Sequence, residues 1–488
     1  MSKKNLKQKA ASGMIWSALQ RYSKILIQFF SGIILARLLT PYDYGCIGML
    51  AIFMFLAEVV IDGGFGSALI QKKRPTQEDY STIFYWNLAM AVVMYAVLYS
   101  CAPAISRFYN IPLLCDVLRV QGLVLFIYAF NIVQRNQLTK QLNFKLQSIV
   151  TITTSLIALG VTVFMAYSGF GVWSLVAQNL IMAGVPAVMF WFFMKWRPIW
   201  SFSWKSFKEL FSFGFYMFLT NLLNRFGQQI QGLLIGKVFD ASTMGYYSKA
   251  FHTERLASNT LSNVMSEVSY PLYAEVQDDK VAMQNMIKRL IMTLSYITFP
   301  MMFILLLCAK PVFVLLYSDR WLLSVPYFQV LCLAGLASCL QSVNLQTISA
   351  IGKSKTMFYW TVVKRTVGIG FIVGGLFIWK MKGLLCGVIL NAWCSYLINI
   401  CLVSKYIGYK WYRQLLDISP VAVVSVIAAA ISYGCGYLFK LNMYPDGILK
   451  LLVYVAIYMG WSVIVKPESY KYFISIIKPM MSRIFKRK

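Results

Sequence analysis

The sequence is poor in the residues on which enzymes and metalloproteins depend. It contains one histidine, His252, and only 17 acidic residues in 488. A single histidine cannot build a multi-histidine metal site, and a conventional hydrolase triad would have to use it without a nucleophile-elbow glycine pattern. The ten cysteines form no CxxC pair and lie mostly in apolar stretches, as small apolar fillers do. We therefore expect no enzymatic chemistry, no metal and no cofactor.

A nucleotide site is also missing. The segment SAIGKSK at 349–355 imitates the end of a phosphate-binding loop, but Thr347 occupies the position of the required upstream glycine. Charged residues are scarce too, at 13% of the chain, whereas 59% of the residues are hydrophobic. This balance excludes a soluble protein of this length and indicates a polytopic membrane protein.

Apolar runs of about 20 residues are long enough to cross roughly 30 Å of hydrocarbon as α-helices. We predict an all-α polytopic membrane protein with about 14 transmembrane helices. The alternative is about twelve, if the last pair lies at the membrane interface. The predicted spans are 13–36, 44–68, 82–104, 117–134, 147–168, 171–194, 209–235, 245–270, 288–308, 325–349, 356–378, 383–403, 418–438 and 447–465.

The net charge of +29 is distributed unevenly around these spans. With the N-terminus inside, 29 of the 46 Lys and Arg residues fall in inner segments or at the adjoining span edge, and eight fall in outer loops. This positive-inside pattern predicts that both termini are cytoplasmic, and we expect no nucleic-acid partner. Two basic inner loops, 71–77 and 195–205, are interpreted as contacts with the anionic headgroups of membrane lipids.

Internal repetition is the most informative feature of the sequence. A shift of 200 residues places Gly32 on Gly232 and Gly45 on Gly245. The same shift aligns two polar series with spacings of 3, 4 and 3, which on a helix place all four side chains on one stripe. The series in the predicted span 13–36, which we call the α1 stripe, is Arg21, Lys24, Gln28 and Ser31. The series in the predicted span 209–235, which we call the α9 stripe, is Asn221, Asn224, Gln228 and Gln231.

The repeat predicts two six-helix lobes in the same orientation, related by an axis along the membrane normal, plus a C-terminal helix pair. We place the first lobe at 1–205, the second at 206–410, and the final pair with a basic cytoplasmic tail at 411–488. Because a central charge facing lipid costs about 2.5–3.5 kcal/mol, we expect both stripes to face a central cleft. The alternative for Arg21 is that its side chain snorkels to the inner surface.

Other ionisable residues inside predicted spans extend the candidate site. The further cations are Arg225, Lys364 and Arg365, and the acids that could couple protons or sodium ions are Glu58, Asp62, Glu254 and Glu267. Glu254 followed by Arg255 fits a structural ion pair equally well. Asp62, which leads DGGFG, fits a helix-breaking element. His252 is disfavoured as a proton relay because it has no assigned partner.

A family resemblance is carried by the stretch ILARLLTPYDYGCIGMLAIFMFLAEVVIDGGFGSALIQKK at 34–73. It contains A-R-x-L, then P-x-x-Y-G, then D-x-G-x-G and a basic loop, and the later segments GYYSKA and YPLYAEV also fit. This pattern resembles bacterial polysaccharide flippases, members of the multidrug, oligosaccharidyl-lipid and polysaccharide exporter superfamily that includes O-antigen and exopolysaccharide translocators. The resemblance covers the whole chain in length and organisation, although its sharp motifs cover about a tenth of it.

The resemblance implies an undecaprenyl-diphosphate-linked oligosaccharide as substrate. It also implies alternating access across the bacterial inner membrane during surface polysaccharide biosynthesis, with a polysaccharide polymerase or glycosyltransferases as candidate partners. Cations on a stripe in a low-dielectric cleft suit a diphosphate. Arg21, Lys24 and Arg225 are therefore predicted to bind the headgroup, aided by Lys364 and Arg365. The remaining stripe positions are predicted to contact the substrate, and the amides of the α9 stripe its sugar hydroxyls.

Two other functions stay open at this point. A multidrug and toxin extrusion antiporter would expel organic cations, but its cavity should be lined by carboxylates. A non-transporting scaffold of a polysaccharide assembly complex would have no need of cations inside its membrane helices.

Overall fold

The computed structural model describes residues 3–141, 143–276, 279–351 and 354–475, and the side chains of most of them. These residues fold almost entirely into helices. The first nine are α1 (Lys3–Leu38), α2 (Pro41–Asp62), α3 (Phe65–Gln71), α4 (Gln77–Tyr109), α5 (Leu113–Gln121), α6 (Leu123–Lys140), α7 (Phe144–Tyr167), α8 (Val172–Phe193) and α9 (Trp204–Val238). The others are α10 (Ala241–Glu275), α11 (Lys280–Leu307), α12 (Ala309–Tyr317), α13 (Val325–Ala350), α14 (Ser354–Ile407), α15 (Trp411–Phe439) and α16 (Met443–Val465), with a 3-10 turn at Asp319–Ser324.

Ten helical stretches among the described residues are long and apolar enough to cross a membrane. One of these, Thr356–Ile407, contains a break at Trp379 and Lys380, where the backbone leaves helical geometry, so two helices run through it. The helices α1, α9 and α10, of 36, 35 and 35 residues, are equally long but more polar. The chain is therefore an all-α, multi-pass membrane protein, and the total of fourteen spans stays a prediction.

Local sequence signals explain where several helices begin. Thr40 caps α2 by accepting a hydrogen bond from the backbone N–H of Asp43, whose carboxylate bonds back to Thr40, and Pro41 occupies the first turn. Thr76 and Asp79 form the same capping box at the start of α4. Each box satisfies backbone N–H groups that a helix end leaves without partners, and so fixes the start of the helix.

The chain forms two compact units, unit 1 (Met1–Ser248) and unit 2 (Lys249–Lys488). In unit 1, α1 packs against α7, α6 packs against α4 and α8, and α2 packs against α9. In unit 2, α13 packs against α11 and α14, and α15 packs against α11 and α16. The first helix of the second predicted lobe, α9, thus belongs to unit 1, and the lobe boundaries at 205 and 410 stay a prediction.

A reciprocal glycine contact reflects the internal repeat. A Cβ atom at Gly45 would overlap the carbonyl oxygen of Ala241, and a Cβ atom at Gly245 would overlap that of Pro41. Both pairs are related by the shift of 200 residues, since Gly45 aligns with Gly245 and Pro41 with Ala241. Only glycine allows backbones to approach this closely. The matched first turns of α2 and α10 therefore cross at equivalent positions.

The segment between α8 and α9 is held against α4. The backbone N–H groups of Ile199 and Ser203 donate to the hydroxyls of Ser81 (3.0 Å) and Thr82 (3.1 Å). Below it lies a buried apolar cluster that includes Phe65, Phe84 and Phe207. These two hydrogen bonds give backbone N–H groups of the extended segment partners on α4, and so they fix the start of α9 relative to α4.

All ten cysteines are free thiols, five of them buried or half-buried inside predicted spans of unit 2.

Candidate functional site

The position of α9 in unit 1 is set by close glycine contacts with α2. A Cβ atom at Gly64 would overlap the carbonyl oxygen of Gly214, and the Cβ position of Gly232 lies 3.5 Å from the carbonyl oxygen of Gly48. These two contacts, 18 residues apart on α9, show that α9 runs antiparallel to α2. The arrangement brings the middle of α9, including Arg225, beside the second half of α2.

Arg225 meets an acidic residue and an aromatic ring of α2. Its guanidinium carbon lies 5.3 Å from the centroid of the Phe55 ring, a cation–π distance. The same guanidinium interacts electrostatically with the carboxylate of Glu58, one turn further along α2. The predicted headgroup cation Arg225 and the predicted ion-coupling acid Glu58 therefore belong to one cluster.

Asp62, one turn beyond Glu58, has backbone partners. Its carboxylate accepts hydrogen bonds from the backbone N–H groups of Gly64 and Gly66. Gly63 and Gly64 have φ values of 54° and 77°, so α2 ends here and α3 begins after a left-handed turn. This geometry fits the interpretation of Asp62 as part of a helix-breaking element. The other interpretation, that Asp62 takes part in ion coupling, stays a prediction.

Two residues of α6 complete the cluster. Arg135 interacts electrostatically with the ammonium group of Lys24 on α1. Tyr128, two turns earlier, interacts with Glu58, Asp62, Arg135 and Arg225. We call Lys24, Glu58, Tyr128, Arg135 and Arg225 the unit 1 cluster. It draws on α1, α2, α6 and α9, and cations outnumber carboxylates in it by three to one.

Sequence analysis missed Arg135 and Tyr128. The predicted fourth span ends at 134, which places Arg135 in an inner loop, whereas α6 continues to Lys140. The missed signal is a polar series at 128, 131 and 135, whose spacings of 3 and 4 repeat those of the α1 stripe. Asn131 in this series donates to the carbonyl oxygen of Ala183 (3.2 Å), so it links α6 to α8.

The α1 and α9 stripes have the same burial at three of their four matched positions. Arg21 and its match Asn221 are half-buried, and Gln28 and Gln228 are both exposed. At the last positions, Ser31 and Gln231 are both buried, and Gln231 accepts a hydrogen bond from the hydroxyl of Tyr247. Between them, Lys24 is exposed and Asn224 is half-buried.

A second group of charged side chains lies in unit 2. The ammonium group of Lys364 donates to the side-chain oxygen of Asn399 (2.8 Å), which joins the two segments of α14. Arg365 interacts electrostatically with both Lys364 and Arg255. Glu254 is 3% exposed, and its carboxylate lies 3.9 Å from Nε of Arg255. We call Glu254, Arg255, Lys364, Arg365 and Asn399 the unit 2 cluster.

Three further ionisable residues, Lys249, His252 and Glu267, belong to α10. The side chain of Glu267 lies outside the described residues, so its assignment stays a prediction. Lys249 is buried, and its ammonium group lies 4.0 Å from the ring centroid of Tyr317 and 5.6 Å from that of Trp321, a cation–π arrangement. His252 is exposed one turn further along α10.

The two basic loops predicted to contact lipid headgroups differ in their surroundings. Lys72 forms ion pairs with Asp79 and Glu209, each at 3.0 Å, so this cation is engaged within the protein. Burial opposes the charge, but the hydrogen bonds to Glu209 and Asp79 outweigh it and raise the pKa of Lys72. In the other loop Trp200 is 97% exposed, as an aromatic residue at a membrane interface would be.

Comparisons with known proteins identify the family of the chain. Residues 34–326 match the family model described as "Polysaccharide biosynthesis protein". The chain is 24% identical to the teichuronic acid biosynthesis protein TuaB of Bacillus subtilis over 72% of this chain and 73% of that one. It is 22% identical to the lipopolysaccharide biosynthesis protein WzxC of Escherichia coli over 89% of each chain.

The fold is similar to that of a solved transporter. The structure of the lipid II flippase MurJ in its inward closed conformation superposes with a TM-score of 0.74 at 15% identity, and the match covers 93% of this chain and 98% of that one. At this sequence identity the superposition shows a similar fold and does not by itself show a similar function. The family model covers more than half of the sequence, and the predicted resemblance is confirmed: the chain belongs to the polysaccharide biosynthesis protein family.

Proposed function

We propose that this protein is a flippase that moves an undecaprenyl-diphosphate-linked oligosaccharide from the inner to the outer leaflet of the bacterial inner membrane. The observation that carries the proposal is the cation-rich unit 1 cluster, drawn from α1, α2, α6 and α9, in a member of the polysaccharide biosynthesis protein family. WzxC is named for lipopolysaccharide biosynthesis and MurJ as a lipid II flippase. The similarity to both supports a lipid-linked glycan as the substrate.

The chemistry of the unit 1 cluster suits a diphosphate. The headgroup bears roughly two negative charges, and Arg binds phosphate oxygens with two parallel hydrogen bonds whereas Lys acts as a point charge. Lys24 and Arg135 carry like charges close together, an arrangement that an anion between them would stabilise. We assign the headgroup to Lys24, Arg135 and Arg225, with Arg21 at the start of the stripe.

The other unit 1 side chains would have supporting parts. Glu58 lies beside Arg225 and would orient its guanidinium group toward the headgroup. The amides of the α9 stripe would bind sugar hydroxyls, as would Gln28 and Ser31. Lys364 and Arg365 belong to the other unit, and their ligand is a separate question.

Transport would proceed by alternating access without nucleotide hydrolysis. Outward movement of an anion follows an inside-negative membrane potential, which contributes about 2.3 kcal/mol per charge per 100 mV. Coupling to protons or sodium ions would use Glu58, Glu254 or Glu267, with Asp62 as a further candidate. Both termini would lie in the cytoplasm, and a polysaccharide polymerase or glycosyltransferases would be partners.

The charge balance argues against a multidrug antiporter that expels organic cations. The unit 1 cluster holds three cations and one carboxylate, and the neighbouring carboxylate of Asp62 is used by the backbone. An organic cation would be repelled by this excess of positive charge. A scaffold without transport activity is also disfavoured, since packing alone does not require like charges side by side within membrane helices.

The test measures translocation in cells that depend on this gene. Deletion should cause lipid-linked oligosaccharide to accumulate on the inner leaflet, where an impermeant glycosidase added outside cannot reach it. Lys24→Gln, which removes the charge and keeps a polar side chain, should reproduce this defect. Lys24→Arg should restore translocation in large part.

Two controls make the result decisive. Protein abundance in the membrane should be equal for wild type and both variants. The change Lys310→Gln, at an exposed position of α12 in unit 2, should leave translocation at the wild-type rate. Full translocation by Lys24→Gln would refute the headgroup assignment. Loss of dye efflux in the deletion strain with unchanged surface polysaccharide would favour the antiporter.

A further inference from the structure

Glu254 is a buried carboxyl group of α10 that the headgroup assignment does not use. The residue is 3% exposed, and its Oε1 atom is buried without a hydrogen-bond partner among the described residues. This oxygen lies against α13, because it is 2.3 Å from the position that a Cβ atom at Gly335 would take. The absence of a side chain at Gly335 therefore provides the space that the carboxyl group occupies.

Three helices of unit 2 meet at this space. The Cβ position of Gly335 also lies 3.2 Å from the methyl carbon of Met302 on α11. One turn further along α10 and α13, the thiol of Cys339 donates to the backbone carbonyl oxygen of Ser258 (3.6 Å), which joins the two helices. The hydroxyl of Ser258 lies close to the carboxyl group of Glu254. The surroundings of the carboxyl group are therefore a glycine, a thioether and one hydroxyl.

Arg255, the neighbour of Glu254 on α10, is a weak partner for its carboxyl group. Nε of Arg255 lies 3.9 Å from Oε2 of Glu254, beyond hydrogen-bond distance. A charge-assisted hydrogen bond between these groups would be about 2.7–2.9 Å long. The guanidinium carbon lies 5.0 Å from the centroid of the Phe251 ring, and the side chain of Arg255 is 39% exposed. The guanidinium group therefore faces this ring and the solvent as well as the carboxyl group.

Few charged groups surround the carboxyl group. A buried carboxylate costs far more free energy than the neutral acid unless it is paired and hydrogen-bonded. The thiols of Cys332 and Cys339 on α13 interact with Glu254, and Met302 on α11 does not titrate. The other charged or titratable groups nearby are Lys249 and His252 of α10, which lie up to two turns earlier, and Arg365 of α14, which interacts with Arg255.

The donor set favours a proton over a metal ion as the ligand. A hard metal cation requires several oxygen ligands. Among the described side chains at this space, Glu254 and Ser258 supply oxygen atoms, whereas Gly335 supplies no side chain and Met302 a thioether. A proton requires one acceptor oxygen, which Glu254 provides.

We propose that Glu254 is a proton-binding site whose neutral acid fills the space at Gly335. When the carboxyl group leaves this space, the O–H bond of the acid breaks and the proton passes to water on the side of Arg255. Protonation from water is the reverse step. On the basis of the flippase function above, this exchange couples translocation to a proton gradient and not to a sodium gradient.

Infrared spectroscopy of the purified full-length protein tests the site without any transport. A neutral carboxyl group has a C=O stretching band that a carboxylate lacks. At pH 7 the wild-type spectrum should contain a band of this kind that is missing from Glu254→Gln, whose amide has the shape of the neutral acid. The control Asp319→Asn, at an exposed acid of unit 2, should keep the band. Identical spectra of wild type and Glu254→Gln in this region would overturn the proposal.

A second variant moves the carboxyl group without removing it. In Gly335→Ala the added methyl group overlaps Oε1 of Glu254 and should displace the carboxyl group, so the band should be lost although the acid is present. Gly370→Ala is the matched control, because a Cβ atom there meets nothing within 4 Å. Both variants should remain monodisperse in detergent. A band that persists in Gly335→Ala would show that the space at Gly335 is not the proton site.

Proteoliposomes test the coupling. The probe is an undecaprenyl-diphosphate trisaccharide, and potassium with valinomycin holds the membrane potential at zero. A gradient of one pH unit should raise the wild-type rate in one polarity and lower it in the other, whereas the two rates should be equal in Glu254→Gln. Lys310→Gln should respond as wild type does. A tenfold sodium gradient at constant pH should have no effect, and a response to sodium without a response to pH would overturn the coupling.

The two measurements keep this inference separate from the flippase proposal. If wild type translocates no lipid-linked probe but the Glu254 band is present, the transport function fails and the proton site stands. If wild type translocates the probe but the band is absent, the flippase function stands and the proton site fails. A loss of the band when sodium replaces potassium in the buffer would identify a sodium site and overturn the assignment to a proton.

Discussion

The α1 and α9 stripes share their positions and most of their burial but differ in chemistry. In both helices the first position is half-buried, at Arg21 and Asn221, and the last position is buried, at Ser31 and Gln231. The first stripe places charge at Lys24 where the second places an amide. The comparison teaches that duplication kept the polar stripe, while its first two positions diverged between cations in α1 and amides in α9.

The neighbours of the two stripes explain this divergence. Lys24 lies near Arg135 of α6, so the charged stripe adjoins other cations. The α9 stripe consists of amides, and the cation Arg225 beside it on α9 interacts with Glu58 of α2. An anion is therefore expected near the α1 stripe and neutral hydroxyls near the α9 stripe. The same comparison between matched positions frames four predictions.

The largest effect is expected where the repeats are identical. Gly45→Ala and Gly245→Ala should each destabilise the protein by about 1–3 kcal/mol or more, because the added methyl group overlaps a backbone carbonyl that cannot move aside. Thermal unfolding in detergent, followed by loss of monodisperse protein, measures this. The matched control is Gly184→Ala, since a Cβ atom there meets nothing within 4 Å. Unequal losses of stability in Gly45→Ala and Gly245→Ala would show that the two matched contacts are not equivalent.

The second prediction exchanges the chemistry of the stripes. Lys24→Asn should reduce translocation about 10-fold to 100-fold, the loss expected for a charged hydrogen bond to phosphate, with little effect on stability. Asn224→Lys in the same chain should not restore the rate, because α9 lacks the neighbouring Arg135. The measurement is translocation of a lipid-linked oligosaccharide in proteoliposomes at equal protein content. Rescue by the second change would show that the stripes are interchangeable.

Much of the fold could be predicted from the sequence because its determinants are local. The predicted span 325–349 nearly coincides with α13, Val325–Ala350. The predicted gap between 378 and 383 contains the break at Trp379 and Lys380. Apolar length, capping boxes and turn residues are all encoded within a few positions of each helix end.

The site was only partly predictable because its members meet through tertiary packing. Lys24 and Arg225 stood out as cations inside apolar runs, but Arg135 follows the predicted span and was marked only by the polar series at 128, 131 and 135. Lys72 was interpreted as a lipid contact, whereas Glu209, 137 residues away, is one of its ion-pair partners. Such pairings depend on how helices pack, and one sequence does not specify that.

The third prediction tests the residue that sequence analysis missed. Arg135→Gln should reduce translocation about 5-fold to 10-fold, less than the loss for Lys24→Asn, because Lys24 and Arg225 remain to hold the headgroup. Arg135→Lys keeps the charge but loses the bidentate geometry, so its rate should be intermediate. The same proteoliposome assay measures both. A wild-type rate for Arg135→Gln would remove α6 from the site and leave the α1 stripe to act alone.

The smallest effect is expected outside the membrane helices, at Lys72. Lys72→Met should lower the free energy of unfolding by about 1 kcal/mol, at the upper end for exposed ion pairs, since one of its partners, Asp79, is buried. The partners of Lys72 raise its pKa above the ordinary 10.5. The stabilisation by the ammonium group is therefore fully present below the ordinary pKa and is lost only as the pH rises through the raised pKa.

Thermal unfolding between pH 6 and pH 9 should therefore show a constant difference between wild type and Lys72→Met. The neighbouring exposed Lys73→Met serves as the control and should unfold as wild type does. Translocation should be unchanged in both variants, because neither side chain belongs to the unit 1 cluster. A loss of translocation in Lys72→Met without a loss of stability would contradict this separation. It would place the loop after α3, and not only the polar stripes, in the transport pathway.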